Sequence, residues 1–186
     1  MIEKYWSSGG SQVIPDELRT IPTAQFDEQR FMFHRLIERF QIATFIELGT
    51  FKGGLAYEMI LTHPEMKVHS FDHDVAQLHP LVRGIPEIYI RDVFHKDTVA
   101  FVSSIINASD GPVLLFCDNG NKVKEFYLYY PLLRVGDFIQ VHDYPVEATP
   151  ELVKDVSEHY LDLEPIDLNY YLANYTVCWK KVALGA

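Results

Sequence analysis

Five apolar runs of this chain end in, or are followed by, acidic and polar side chains, at the places where buried β-strands would stop. Carboxylates at such places can accept hydrogen bonds from sugar hydroxyls, hold a divalent cation or assist proton transfer. The carboxyl ends of parallel strands meet at one edge of an open α/β sheet, so we expect these side chains to converge there on a ligand. They are Glu47, the acids Asp72 and Asp74, Asp92, Asp118 with Asn119, and His142 with Asp143.

The turn after the first of these runs, "FIELGTFKGG", contains three glycines. Gly49, Gly53 and Gly54 would let a ligand approach the backbone where a side chain would obstruct it. The spacing E-x-G-x-x-x-G-G is neither the GxGxxG dinucleotide pattern nor the GxxxxGK[ST] phosphate loop. Asp72 lies 25 residues after Glu47 (72 − 47), at the end of the next predicted strand. An acid there can accept both hydroxyls of a ribose, which indicates a nucleoside ligand.

Hydrophobic periodicity predicts the elements that position these residues. A helix over residues 24–40 precedes the strand "ATFIEL", and the helix "LAYEMILTH" ends near Pro64. Pro131 must kink or divide the helix "KVKEFYLYYPLLRVG", and Thr149 with Pro150 is a good helix start. The closing segment "NYTVCWKKV" alternates as in a half-exposed strand. The pattern predicts an α/β fold, a doubly wound, mostly parallel seven-stranded sheet with an antiparallel edge strand.

Composition limits the function classes. The chain has 186 residues, 48% of them hydrophobic, which fits a single domain over residues 24–186 after an N-terminal arm or lid at residues 1–23. Its 26 acidic against 16 basic residues give a formal charge of −10, which argues against nucleic acids or anionic membranes as partners. No apolar run approaches the ~20 residues that cross a bilayer. We therefore expect a soluble, cytoplasmic protein in which Cys117 and Cys178 are buried thiols.

Longer stretches of the sequence resemble a known family. "FIELGTFKGG", "VHSFDHD" and "RDVF" resemble the cofactor-binding half of the class I S-adenosylmethionine-dependent methyltransferases. "LLFCDNGNKVKEFYLYYPLLRVGDFIQVHDY" further resembles the branch with the cephalosporin-hydroxylase-like and sugar O-methyltransferase proteins. The resemblance covers residues 24 to 145. It implies a Rossmann-like methyltransferase fold and S-adenosylmethionine as the cofactor.

The resemblance also implies roles for the strand-end residues. The glycines would pass under the methionine part of the cofactor, and Glu47 would support this loop or meet the amino group. Asp72 would bind the ribose, Asp92 would lie by the adenine, and Asp118 would lie between cofactor and acceptor. The cofactor-binding residues implied in this way are Glu47, Gly49, Thr50, Gly53, Gly54, Asp72, His73, Asp92, Val93 and Asp118.

Relatives in this family carry a divalent ion, held by the acid after the fourth strand and two acids after the fifth. Carried over, the metal ligands are Asp118, His142 and Asp143, which are also the predicted catalytic residues. His142 replaces an acid, so it either weakens a Mg²⁺ site, turns away from the site, or favours a transition metal that accepts imidazole. Without an ion, His142 is the expected general base, because an unperturbed pKa of ~6.5 suits proton abstraction. Lys122 follows Asp118 by four residues, not the three of catechol-type relatives, and is set aside.

The predicted function is methyl transfer from S-adenosylmethionine to an oxygen of a small hydroxylated molecule, with or without a divalent metal. The acceptor pocket is expected to be open or completed by a second subunit. Two other functions stay open. One is a non-catalytic protein that binds S-adenosylmethionine or S-adenosylhomocysteine, and the other is an NAD-dependent oxidoreductase, against which the glycine spacing counts.

The same residues also have purely structural explanations. Asp72 or Asp92 would cap the turn that follows it, and Gly53 with Gly54 would allow close helix packing. His142 would be a hydrogen-bonded residue at a strand end. Asp118 and Asp143 would be strand-end acids of the kind that metal-free relatives also have.

Overall fold

The computed structural model describes residues 16–184, apart from the side chains at 17 and 18. Residues 1–15 of the predicted arm at residues 1–23 therefore lie outside the described residues. Six α-helices are described, and none of them is long and apolar enough to cross a membrane. The helices are α1 (Asp27–Phe40), α2 (Gly54–Thr62), α3 (Lys96–Ala108), α4 (Lys122–Tyr129), α5 (Pro150–His159) and α6 (Leu168–Ala173). The strands are β1 (Thr44–Leu48), β2 (Lys67–Asp72), β3 (Ile88–Ile90), β4 (Val113–Cys117), β5 (Phe138–His142), β6 (Leu163–Pro165) and β7 (Thr176–Lys181).

One seven-stranded sheet organises the described chain, in the order β3-β2-β1-β4-β5-β7-β6. The strands from β3 to β5 pair in parallel, whereas β7 pairs antiparallel with both β5 and β6. The strand order reverses between β1 and β4, so the polar ends of these two strands lie side by side. The predicted doubly wound sheet with an antiparallel edge is confirmed.

The closing strand is more buried than its sequence predicts. Residues 176–179 of β7 are all buried, so the expectation of a half-exposed strand is wrong. The reason is that β7 lies between β5 and the edge strand β6, and packed elements cover its two faces. The sequence does not predict the short β6, because three residues ending in Pro165 are too few to show the alternation of a strand.

Helices on both faces of the sheet explain why its central strands are apolar throughout. All five residues of β4 and all five of β5 are buried. One core layer packs Leu115, Ile139 and Val141 against residues of α3, α4 and α5. The other packs Leu114 and Phe116 against residues of α1 and α2. The two core layers hold the sheet between helices, and the predicted polar site residues lie at or after the carboxyl ends of its strands.

The helix starts and stops follow local sequence signals. Asn121 caps α4 by accepting a hydrogen bond from the Lys124 N–H at 3.1 Å. Pro131 divides the predicted long helix, because α4 ends at Tyr129 and a 3-10 turn over Tyr130–Leu132 follows. Thr149 caps α5 as predicted, through a 3.2 Å bond from the Leu152 N–H. The caps place the first turn of α4 beside the end of β4.

Candidate functional site

The loop between β1 and α2 packs directly on the end of β4. Gly49 has a φ of +104°, and a Cβ there would lie 2.4 Å from the carbonyl oxygen of Asp118. The N–H groups of Gly49 and Thr50 donate to the carbonyl of Phe71, at 2.8 and 3.2 Å. Only glycine fits this position, and the contact brings the glycine loop and Asp118 to one edge of the sheet.

The other two glycines contact protein atoms. A Cβ on Gly53 would lie 2.7 Å from Cγ2 of Val82, and Gly53 has a φ of +87°. A Cβ on Gly54 would lie 2.6 Å from the carbonyl oxygens of Ile21 and Pro22. Close packing thus accounts for both glycines, and their role beneath a cofactor stays a prediction. The contact of Gly54 also places residues 21–23 against the loop.

Glu47 is a buried carboxyl group linked to the glycine loop. Its Oε2 accepts a hydrogen bond from the Ser70 hydroxyl at 2.5 Å, and the Ser70 oxygen lies 2.6 Å from Oγ1 of Thr50. Burial raises the pKa of Glu47 well above its ordinary value, opposed by the Ser70 bond and reinforced by the charges of Asp118 and Asp72. This chain of hydrogen bonds from β1 through β2 to the loop is consistent with the predicted supporting role.

Asp72 is nearly buried at the end of β2, and both of its oxygens accept backbone hydrogen bonds. Oδ2 accepts from the Phe51 N–H and Oδ1 from the Asp74 N–H, each at 2.9 Å. The carboxylate therefore caps a turn and fixes the glycine loop, as the structural explanation holds. A carboxylate has about four acceptor positions, so about two are left for hydroxyl groups. These remaining acceptor positions of Asp72 would suit the two hydroxyls of a ribose.

The remaining predicted cofactor residues are more exposed or face away. Asp92, after β3, is exposed and accepts from the Phe94 N–H at 2.9 Å. His73 is exposed beside Asp72, with Nδ1 3.6 Å from Oδ1. Val93 is fully buried in the core, and its carbonyl accepts a hydrogen bond from the Tyr129 hydroxyl at 2.5 Å, so its contact with a cofactor stays a prediction.

The ends of β4 and β5 bring Asp118, His142 and Asp143 together. Nδ1 of His142 lies 3.0 Å from Oδ1 of Asp118 and 3.3 Å from Oδ1 of Asp143. The side chains of His142 and Asp118 are 8% and 9% exposed, whereas that of Asp143 is 41% exposed. The three residues predicted from the sequence are thus in contact, with the carboxylates of Asp118 and Asp143 on either side of the His142 Nδ1 atom.

Lys122, Glu147 and Gln25 also contact these residues. We call the group of five charged or titratable side chains the strand-end cluster; it consists of Asp118, Lys122, His142, Asp143 and Glu147, and Gln25 packs against it. The ammonium of Lys122 lies 2.7 Å from Oε2 of Glu147, 3.0 Å from Oδ2 of Asp143 and 3.5 Å from Oδ1 of Asp118. Gln25 donates from Nε2 to Oδ2 of Asp118 at 2.7 Å.

Lys122 is not among the residues predicted for the site, yet it lies four residues after Asp118, a spacing at which side chains in a helical turn meet. Gln25 and Glu147 carried no comparable signal. Gln25 meets an acid 93 positions away, and Glu147 lies in an irregular turn.

Comparisons with known proteins find similar structures but no similar sequence family. Neither a search against protein-family models nor one against curated proteins finds a match. Among solved structures, the apo form of CmcI superposes with a TM-score of 0.66 at 18% identity, over 95% of this chain and 88% of that one. A CmcI structure with Mg and SAM gives a TM-score of 0.66 at 17% identity, over 98% and 85% of the two chains. The chain has the class I methyltransferase fold.

A third structure has the same fold. It is a Staphylococcus aureus protein provisionally named a caffeoyl-CoA O-methyltransferase, with a TM-score of 0.58 at 11% identity over 90% of this chain and 88% of that one. At these identities the likeness concerns the methyltransferase fold, and the activity of this chain has to be argued from its own residues.

Two basic groups in the strand-end cluster hold their protons more firmly than usual. Burial acts to lower the pKa of His142, but the hydrogen bond and charge of Asp118 and the charge of Asp143 outweigh it and the pKa is raised. Burial also opposes the charge on Lys122, yet contacts with Glu147, Asp118 and Asp143 raise its pKa. Lys122 is therefore a permanent cation in this methyltransferase fold.

The same cluster contains the metal ligands predicted from the sequence. Asp118, His142 and Asp143 offer ligand atoms within 4.8 Å of one another, a distance that suits one ion. Two carboxylates and an imidazole also match a transition metal in chemistry. The Lys122 ammonium, however, contacts both of these carboxylates. A divalent ion and this ammonium compete for the same oxygen atoms, so in this arrangement the residues do not fit an ion.

A cleft of about 300 Å³ opens on His142. The exposed aromatic rings of Phe26 and Tyr175 line this cleft and pack edge to face, with a centroid distance of 6.0 Å. A larger groove of about 990 Å³ lies between α1 and α6 and includes none of the predicted site residues. The smaller cleft is the one next to the chemistry, and its lining is Ala24, Phe26, Gln29, His142, Asp143, Tyr144, Val146, Glu147 and Tyr175.

Proposed function

We propose that this chain binds S-adenosylmethionine at the glycine loop and transfers its methyl group to an oxygen of a small hydroxylated acceptor in the cleft beside His142. One observation carries the proposal. Gly49 packs on the Asp118 backbone, and the Asp118 carboxylate in turn orients the imidazole that lines the cleft. A cofactor loop and a candidate base thus meet at one sheet edge in a methyltransferase fold.

For the cofactor, the chain offers hydrogen-bond acceptors and a shaped loop. Asp72 has acceptor positions for the ribose hydroxyls, and Glu47 with Thr50 supports the loop from below. S-adenosylmethionine, when bound, supplies a methyl group on a sulfonium centre. The chain has mainly to position the acceptor oxygen in line with it and to remove the hydroxyl proton.

His142 is the residue proposed to take that proton. Its Nδ1 faces the carboxylates of Asp118 and Asp143, so in the neutral ring Nδ1 carries the hydrogen and Nε2 is the acceptor. Asp118 then fixes the orientation of the ring and stabilises the imidazolium that forms. Asp143, at the mouth of the cleft, is placed to contact the acceptor. No step of this proposal uses a divalent ion.

Binding is the first test of the proposal. Calorimetric titration with S-adenosylhomocysteine should give micromolar affinity, and absence of binding would overturn the cofactor assignment. Transfer from radiolabelled S-adenosylmethionine to a panel of catechols and sugars then tests the reaction. Binding without transfer to any acceptor in the panel would favour the non-catalytic alternative.

A substitution at His142 tests the base. His142→Gln should lower turnover at least ~100-fold, the usual contribution of a general base, with S-adenosylhomocysteine affinity within about threefold of wild type. His159→Gln, on the exposed face of α5, is the matched control and should leave turnover unchanged. An equal loss of affinity and turnover in His142→Gln would assign His142 a structural role.

A further inference from the structure

Lys122 is a buried cation placed where three carboxylates converge. Its side chain is 6% exposed, and its ammonium contacts Asp118, Asp143 and Glu147 at 2.7–3.5 Å. A lysine is rarely this buried unless its charge is compensated, and here it is compensated by Asp118 after β4 and by two acids, Asp143 and Glu147, in the turn after β5. The lysine is therefore an integral part of the cluster.

The local backbone holds Lys122 in this position. Lys122 is the first residue of α4, directly after the cap Asn121. The buried Glu125 accepts hydrogen bonds from the N–H groups of Asn119 and Asn121, at 3.1 and 3.2 Å. The segment from Asp118 to Lys122 is thus tied to α4 at both of these amides, which fixes the Lys122 backbone beside the three acids.

The acids that face Lys122 are also arranged by their own turn. Asp143 has a φ of +59°, in the left-handed region that aspartate tolerates. Its carbonyl accepts from the N–H groups of Val146 and Glu147, each at 2.8 Å. This turn brings the carboxylates of Asp143 and Glu147 to the same ammonium.

We infer that the Lys122 ammonium takes the position of a divalent metal ion in the strand-end cluster, so that the site works with a built-in cation and excludes Mg²⁺ or Mn²⁺. A second cation on the Asp118 and Asp143 oxygens would lie within a few ångströms of the ammonium, in a largely buried place where like charges repel strongly. Asp143 and Glu147 are held by the lysine, and Lys122 acts as a positioning residue for the acids and for His142.

The exclusion of metal is a property of the cluster, whereas its consequence for catalysis rests on the proposed function. If both are correct, methyl transfer is independent of divalent ions, and chelation by EDTA leaves turnover unchanged. If the proposed function fails, metal binding still tests the inference by itself.

The test is titration with Mn²⁺, with free Mn²⁺ followed by electron paramagnetic resonance. Wild type should show no binding below about 1 mM. Lys122→Met leaves three carboxylates and an imidazole without their cation and should bind Mn²⁺ at least ~10-fold more tightly than wild type. Lys124→Met, two residues along α4 and exposed, is the matched control and should behave as wild type.

Two further variants keep the test decisive. Lys122→Arg retains the positive charge and should bind Mn²⁺ no more tightly than wild type. This result remains informative even if Lys122→Met does not fold. Asp143→Asn in the Lys122→Met background should remove the gained binding. Micromolar Mn²⁺ binding by wild type that Asp143→Asn abolishes would overturn the inference, and so would a folded Lys122→Met that gains no affinity. Titration of the same samples with S-adenosylhomocysteine reports separately on the proposed function.

Discussion

Asp72 shows how a structural and a functional explanation of one residue can both be correct. Its two oxygens fix the Phe51 and Asp74 amides and thereby shape the glycine loop. The acceptor positions left over are the ones a ribose would use. A substitution test has therefore to separate loss of loop shape from loss of hydroxyl contacts.

Asp72→Asn should weaken S-adenosylhomocysteine binding by about 1–3 kcal/mol, because ribose hydroxyls lose part of their acceptor. Calorimetry gives the affinity, and thermal unfolding without ligand gives the effect on loop and fold. Asp74→Asn, in the same turn, is the control and should bind as wild type. Unchanged affinity in Asp72→Asn would remove the ribose assignment and leave the turn-capping role alone.

At this scale the sequence predicted the residues that topology brings together. Glu47, Asp72, Asp118 and His142 lie at or just after the carboxyl ends of strands. Parallel strands end at one edge of the sheet, so the order of elements predicts that these residues lie close together. The spacing to Asp118 indicates one partner of Lys122, but the sequence does not predict its contacts with Asp143 and Glu147, which lie in another loop. Contacts of that kind depend on side-chain packing between segments.

The central strands of the sheet are predictable because their residues form uninterrupted apolar runs. β4 and β5 are continuous apolar runs, because both of their faces are covered. β6 and the burial of β7 were not predictable, since both depend on which strand lies beside which. The start of α5 is predictable from residue types alone, because Thr149 caps the helix and Pro150 is its first residue.

The start of α4 carries a titratable element, Glu125. Burial raises the pKa of Glu125 from its ordinary 4.5 to about 7, against the lowering effect of its bonds from the Asn119 and Asn121 amides. Between these two pKa values the folded chain keeps a proton that the unfolded chain has released. The free energy of unfolding contributed by this group therefore falls as pH rises through that window.

Glu125→Gln should remove this dependence. We expect the free energy of unfolding of wild type relative to Glu125→Gln to fall by about 2 kcal/mol between about pH 5.5 and about pH 8, from the shift of Glu125. Urea unfolding of both proteins at the two pH values measures the difference and cancels the other titrating groups. A difference that does not change with pH would contradict a raised pKa at Glu125.

The net charge of the whole molecule bears on which nucleoside cofactor the proposed site would accept. Its formal charge of −10 repels the diphosphate of a dinucleotide, whereas S-adenosylmethionine is a sulfonium cation and S-adenosylhomocysteine carries no net charge. Glycine spacing and net charge thus favour the same ligand, although they are independent properties of the sequence.

Thermal unfolding of the whole chain tests this preference. S-adenosylhomocysteine at ~100 times its Kd should stabilise the fold by about 2.7 kcal/mol, because it binds the folded state only. For a chain of this size that raises Tm by roughly 5–10 °C. NADH at the same concentration is the control and should shift Tm by less than about 1 °C, since its diphosphate meets a negative protein without a phosphate loop. A larger shift with NADH would favour the oxidoreductase alternative, and no shift with either would leave the chain with a methyltransferase fold but without this cofactor.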